Sequence, residues 1–170
     1  MYDGRYAEEQ KAKFGTAIKK VTVVNATILD VGCGSGLFFG QVAEQAKIVV
    51  GVDLSRKLLL LAKEKAKPFQ NVVVLQADAD NLPFADSAFD AVFAFTVLQN
   101  LPKPLLALNE IKRVVQRGGI VTVSGLKKAF SLAKFLDLLE TASLKLVSFV
   151  DEEELKCYVA VLANNCTSAT

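Results

Sequence analysis

The segment Asp30-Val31-Gly32-Cys33-Gly34-Ser35-Gly36 constrains this chain more than any other. Its three glycines, at alternate positions, follow the apolar run Thr27-Ile28-Leu29-Asp30-Val31, which reads as a short buried strand. Beyond them, Leu37 to Ala46 reads as a helix whose first turn starts in the glycine loop. Glycine tolerates the backbone angles of so sharp a turn and puts no side chain between the loop and a ligand. The helix start adds free N–H groups and a positive dipole end. A second run, Ile48 to Asp53, ends in an acid close to the offset at which nucleotide-binding βαβ units hold ribose hydroxyls. The spacing is G-x-G-x-G rather than G-x-G-x-x-G, and Asp30 precedes it. A nucleotide-type cofactor is the expected ligand.

The remaining pattern repeats the strand–helix alternation. Ser55 caps a helix running to about Lys67, where Pro68 stops it. Val72 to Leu75 reads as a third strand and Ala91 to Phe95 as a fourth. A helix from Pro104 to Gln116 ends at Gly118-Gly119, and Ile120 to Val123 follows as a fifth strand. Leu132, Phe135, Leu136 and Leu139 mark one face of a further helix. Leu144 to Val150 and Leu155 to Leu162 are joined only by Asp151-Glu152-Glu153-Glu154, too short for a parallel return, so they form an antiparallel hairpin. The alternation before that hairpin argues for a parallel sheet with helices on both faces. One domain spans 1–170, with residues 1–20 an N-terminal helical segment and residues 164–170 a loose tail.

Composition narrows the chemistry. There is no histidine, which removes the commonest general base, a Ser-His or Cys-His pair and most zinc sites. Cys33, Cys157 and Cys166 show neither metal-ligand spacing nor a disulfide framework, so no metal is expected and a cytoplasmic, reducing setting is. No apolar run approaches the ~20 residues of a membrane span. Met1-Tyr2-Asp3-Gly4-Arg5 does not read as a signal peptide, and a net charge of +2 does not argue for nucleic acid. Lys11, Lys13, Lys19, Lys20, Lys127 and Lys128 read as solvated surface.

With these residues in place, a family resemblance is plain. Ile28 to Gly36 resembles the first motif of the class I methyltransferases, and Gly51-Val52-Asp53-Leu54-Ser55 the second. Ala77-Asp78-Ala79-Asp80-Asn81-Leu82-Pro83-Phe84 resembles the third. Phe89 to Phe93 and Ile111 to Gly119 are similar to the fourth strand and the helix–glycine segment after it. The likeness, from about Thr27 to Val123, is to the small type 11 group. It implies a three-layer α/β, Rossmann-like domain whose seven-stranded, mostly parallel sheet has the order 3-2-1-4-5-7-6, with strand 7 antiparallel. It also implies S-adenosyl-L-methionine as cofactor and S-adenosyl-L-homocysteine as product.

The resemblance further implies roles. Gly32 and Gly34, with Gly36 completing the loop, hold the methionine portion, and Asp30 lies close to its ammonium. Asp53 accepts from both ribose hydroxyls and Leu54 packs on the adenine. Asp78 takes the adenine amino group, the Ala79 N–H meets a ring nitrogen, and the Phe95 carbonyl meets the ammonium. Asp78 also suits a plain turn, Phe95 a plain core position, and Asp80 a solvated one.

Methyl transfer from a sulfonium is an in-line displacement that needs alignment more than proton transfer, which suits a chain without histidine. The acceptor is expected beyond the carboxyl ends of strands one and four, where Thr96, Gln99 and Asn100 are the polar residues. The resemblance implies that residues 1–20 fold over the cofactor as a lid, with Tyr6 a candidate from that segment. The absence of a large cap tilts the expectation toward an RNA or translation-protein acceptor over a small molecule. A non-catalytic cofactor-binding module is the competing class. The resembled strand order leaves Val72 to Leu75 at a sheet edge, where an activator protein or a second copy could add. On the helix after Ser55, Leu58, Leu59, Leu61, Ala62 and Ala66 are the expected buried stripe, with Leu60 outside it.

Overall fold

The computed structural model describes residues 2–19 and 21–165, the side chains of 2–7, 9 and 16 excepted. Along the chain run α1 (Tyr2–Ile18), β1 (Thr27–Val31), α2 (Phe39–Val42), β2 (Ile48–Asp53), α3 (Arg56–Ala66), β3 (Val72–Gln76) and β4 (Phe89–Ala94). A 3-10 turn at Leu98–Asn100 leads to α4 (Pro104–Val114), β5 (Val115–Leu126), α5 (Leu132–Thr141), β6 (Lys145–Val150) and β7 (Cys157–Ala163). The seven strands form one sheet in the order β3-β2-β1-β4-β5-β7-β6. β7 runs antiparallel to both β5 and β6, while β1 to β5 pair in parallel. The order and the terminal hairpin match the sequence expectation.

Two apolar layers cover the sheet. On one face Leu108, Ile111 and Val114 of α4 and Phe135 and Leu139 of α5 pack on Leu29, Val92 and Val121. On the other, Phe14 and Ala17 of α1, Phe39 of α2, and Leu59 and Ala62 of α3 pack on Ile28, Val49 and Phe93. Burial on both faces explains why β1 reads as a continuous apolar run rather than an alternating one.

Several local expectations change. The helix expected over Leu37 to Ala46 shrinks to the four residues of α2. Phe39 is pulled beneath the glycine loop, so the chain coils in turns from Gly32 to Phe38 instead of continuing a helix into the loop. So short a helix has little aligned dipole, and the dipole argument for ligand binding falls with it. Helix α4 ends at Val114, and Gly118-Gly119 lies within the irregular start of β5, which is longer than expected. A Cβ at Gly119 would stand 2.8 Å from the Asp90 carbonyl, so the glycine lets β5 approach β4.

Only Leu59, Ala62 and Ala66 of the α3 stripe are buried; Leu58 and Leu61 join Leu60 among the exposed residues, because α3 covers β3 along a narrower face. Lys13 is buried with Gln10, Phe14 and Ala17 on one stripe of α1, not solvated, and Lys127 pairs with Asp151 at 2.6 Å. Asn164 belongs to no loose tail. Its side chain is buried and donates to the carbonyls of Lys112, Val115 and Gln116, at 3.2, 3.0 and 3.4 Å. Residues 166–170 lie outside the described residues.

The tightest packing lies under the glycine loop. A Cβ on Gly51 would sit 2.6 Å from Phe39 Cζ and 3.1 Å from Cys33 Sγ, and one on Gly36 would sit 2.6 Å from Phe39 Cε2. Phe39 is fully buried, so it has no room to yield. Gly51→Ala is expected to destabilise the fold by about 1–3 kcal/mol through overpacking. Chemical denaturation measures the loss, and Phe39→Leu in the same chain should recover part of it.

Candidate functional site

The sheet reverses direction of growth between β1 and β4, and the crevice beyond the carboxyl ends of those strands is where open α/β sheets bind ligands. Two adjoining cavities occupy it. The smaller, about 140 Å³, is lined by Asp30, Gly32, Cys33, Gly34 and Ser35 of the loop, with Phe38, Phe95, and Gln10 and Phe14 of α1. The larger, about 350 Å³, is lined by Asp53 and Leu54, by Ala77, Asp78 and Ala79, and by Thr96, Val97, Asn100 and Leu101. Gly32, Gly34, Leu58 and Phe95 border both, so the two open onto the same walls. A bigger concavity of about 1190 Å³ lies by α4, α5 and the start of β6, at the opposite end of the sheet. It contains neither glycine loop nor strand-end acid; size does not mark the site here.

The loop is glycine for distinct reasons at distinct positions. Gly32 has φ +69°, and a Cβ there would stand 2.3 Å from Val97 Cγ2. Gly34, at φ +54°, faces open space, so any side chain would enter the cavity. Gly36 lines neither cavity and backs onto Phe39 and α3, which makes its contribution one of packing.

Asp53 ties loop to strand. Its Oδ2 accepts from the Gly34 N–H at 2.9 Å and its Oδ1 from the Ser55 N–H at 2.8 Å. Each carboxylate oxygen keeps a second lone pair, the number of acceptors that two neighbouring hydroxyls need. Leu54 beside it is 65% exposed on the cavity wall, an apolar surface open to a flat ring.

Asp78 does both things its sequence allowed. It lines the cavity, and its Oδ1 accepts from the Asp80 N–H at 3.0 Å, closing a turn. Asp80 is half-buried rather than solvated, with Oδ1 turned inward. The segment just after the turn is clamped by α4, which packs in the same apolar layer as Leu82. Arg113 on α4 donates to the carbonyls of Leu82 and Phe84 at 2.9 and 2.7 Å and pairs with Glu110 and Asp86 at 2.8 and 2.9 Å. The Arg113 bonds hold the Glu110 carboxyl below its ordinary range.

Asp30 is 3% exposed, and its Oδ2 has no hydrogen-bond partner. Burial first, and then the charge of Asp53, push its carboxyl well above the usual carboxylate range. An orphaned carboxylate oxygen at a cavity lined by glycine backbone fits a ligand that brings its own positive charge. Burial likewise raises the Cys33 thiol, which keeps it a weak nucleophile.

Of the acceptor-side candidates, Thr96 and Asn100 line the larger cavity and Gln99 lines neither, its Oε1 being buried. Tyr6 falls in α1, and its side chain lies outside the described residues. Thr96 has φ +61°, a left-handed conformation that costs a β-branched residue on the order of 1–2 kcal/mol. Sequence reasoning missed Gln10, Phe14, Phe38 and Ser124. The stripe Gln10, Lys13, Phe14 and Ala17 at helical spacing was the available signal for the first two; Ser124 had none.

The glycine loop, the strand-end acid and the sheet order together define a class I S-adenosylmethionine-dependent methyltransferase fold. A family model described as a methyltransferase domain matches residues 29–123, and the chain belongs to that family. The demethylmenaquinone methyltransferase of Staphylococcus aureus is 38% identical over 96 residues, 55% of this chain and 40% of that protein. The chain thus matches less than half the length of this curated relative. Among solved structures, a SAM-dependent methyltransferase from Aquifex aeolicus has a TM-score of 0.79 at 21% identity, covering 88% of both chains. A Haloferax volcanii methyltransferase in complex with its Trm112 activator has a TM-score of 0.80 at 17% identity, covering 96% of this chain and 95% of that one.

The raised Asp30 carboxyl sets a stability prediction. The folded chain holds that proton more tightly than the unfolded chain, so this group's contribution is most favourable below the ordinary carboxylate range and declines as pH rises through its folded value. Asp30→Asn is therefore expected to stabilise the ligand-free chain at neutral pH and to flatten this part of its pH dependence. Thermal melts across the acid-to-neutral range measure both.

Proposed function

We propose that this chain transfers a methyl group from S-adenosylmethionine to a small, largely apolar acceptor. The convergence of Asp30, the Gly32–Gly34 backbone, Asp53 and Asp78 on two adjoining cavities carries the cofactor half of this reading. The cofactor supplies an activated methyl on a sulfonium; the chain's own residues bind and orient it. In this reading Asp30 and the Phe95 carbonyl receive the ammonium, and Gly32 and Gly34 lie along the methionine portion. Asp53 takes the ribose hydroxyls, Leu54 flanks the adenine, and Asp78 with the Ala79 N–H meets its edge. Product S-adenosylhomocysteine occupies the same groups. No side chain is assigned to proton removal; Thr96 and Asn100 border the acceptor side.

The sequence alone tilted toward an RNA or protein acceptor, and two observations move the proposal to a small one. Among the described residues, neither cavity is lined by a lysine or arginine that would meet a phosphate backbone. The curated relative is named for a quinone precursor, and demethylmenaquinone in its reduced form is the first acceptor to try.

Asp53→Ala is expected to lose most affinity for S-adenosylhomocysteine while keeping the fold, since two charge-assisted hydrogen bonds go, at roughly 1.5–3 kcal/mol each before solvent compensation. Calorimetric titration decides it, and unchanged affinity overturns the ribose assignment.

A partner at the β3 edge is a second reading, favoured by a specific surface. β3 ends the sheet, Val73 is 47% exposed, and Leu60 and Leu61 on α3 are 59% and 51% exposed. An apolar edge without charge invites an added strand. The activator-bound Haloferax volcanii methyltransferase supports a protein partner over a second copy. Val73→Lys should abolish any co-purifying partner or dimer, read by pull-down from native cells and light scattering. A complex unaffected by Val73→Lys places the contact elsewhere.

A further inference from the structure

Thr96 is the most constrained residue at the site. It is β-branched, stands at φ +61°, and lies two residues beyond the end of β4. Each of its polar groups is held by a different element. Its N–H donates to Ser124 Oγ of β5 at 2.8 Å, its carbonyl accepts from Asn100 Nδ2 at 3.0 Å, and its Oγ1 accepts from Gln10 Nε2 of α1 at 3.2 Å. A strained backbone persists only where its surroundings over-determine it, and such strain gathers at functional sites.

We propose that Ser124 is a positioning residue for the methyl donor, acting through Thr96. Ser124 is fully buried and lines neither cavity, so it reaches a ligand only through what it holds. What it holds is the peptide between Phe95 and Thr96. Phe95 borders both cavities, where the methionine and adenosine ends of one ligand would join, and Thr96 borders the larger. Without the Ser124 hydroxyl, the Thr96 N–H loses its acceptor and the left-handed backbone loses one of its three restraints. Thr96 then relaxes toward negative φ, rotating that peptide and carrying the Phe95 carbonyl away from the cavity junction. The bond from Gln10 extends the arrangement to α1, which roofs the smaller cavity.

The inference rests on the cofactor reading above, and the test separates the two. S-adenosylhomocysteine is titrated into the wild-type chain, Ser124→Ala, Thr96→Gly and the double variant, with melting temperatures recorded in parallel. Ser124→Ala is expected to weaken binding about tenfold, or about 1.4 kcal/mol. Glycine populates positive φ without help, so in the Thr96→Gly background the same change should alter affinity less than about twofold. Melting temperature falls in both backgrounds, because the backbone N–H stays unpaired in each. Ser124→Cys, which preserves volume and weakens only the acceptor, should give an intermediate loss, and serves where the alanine variant folds poorly. An equal loss of affinity in both backgrounds, or none in either, overturns the proposal while leaving the cofactor reading standing. Failure of the wild-type chain to bind overturns both.

Discussion

The carboxylate of Asp53 accepts from two backbone N–H groups, one in the glycine loop and one at the cap of α3, and the carboxyl end of the sheet is organised by that pair of bonds. β2 ends in this residue, so the bonds tie the strand to the loop that follows its neighbour β1. The loop then lies close over Phe39, and that closeness forbids side chains at Gly36 and Gly51. One anionic group thereby fixes the floor of both cavities and keeps lone pairs for a ligand. Remove it and the Gly34 N–H has no acceptor; keep it and the loop is rigid before any ligand arrives. Preorganisation of this kind cuts the ordering cost of binding.

Much of this was legible in the residues, and the limits follow from where the information sits. The ends of β1 and β2 were readable to the residue, because an apolar run stops at glycine in one and at an acid in the other. The β6–β7 hairpin was readable because four acidic residues cannot cross a sheet. The extent of α2 was not: Leu37 to Ala46 carries a helical pattern, and only the burial of Phe39 against Gly36 and Gly51 shows why the helix does not extend. Lys13 misled for a similar reason. A lysine two residues after another lysine reads as solvent-facing, yet it shares a buried stripe with Phe14 and Ala17. Ser124 was illegible in principle, since its meaning lies in the backbone angle of a residue 28 positions earlier.

Electrostatics at the crevice is lopsided by construction. Burial and the neighbouring charge of Asp53 both disfavour the charge of Asp30, which also carries an unpaired oxygen. For stability alone this is a poor arrangement, as a buried carboxyl without a partner weakens the fold. A cationic ligand reverses the sign of that term. The Asp30 carboxyl that opposes folding of the empty chain favours occupancy by a sulfonium compound bearing an ammonium.

The clamp made by Arg113 divides the crevice. It reaches from α4 to fasten the Leu82 and Phe84 carbonyls, which follow closely on the turn bearing Asp78. The opposite wall, after β4, is held by other bonds through Thr96 and shares no hydrogen bond with that clamp. Two halves secured separately are free to diverge separately. A substitution that loosens the segment behind Asp78 leaves the Thr96 wall with all of its bonds, and one at Thr96 leaves the Arg113 clamp intact.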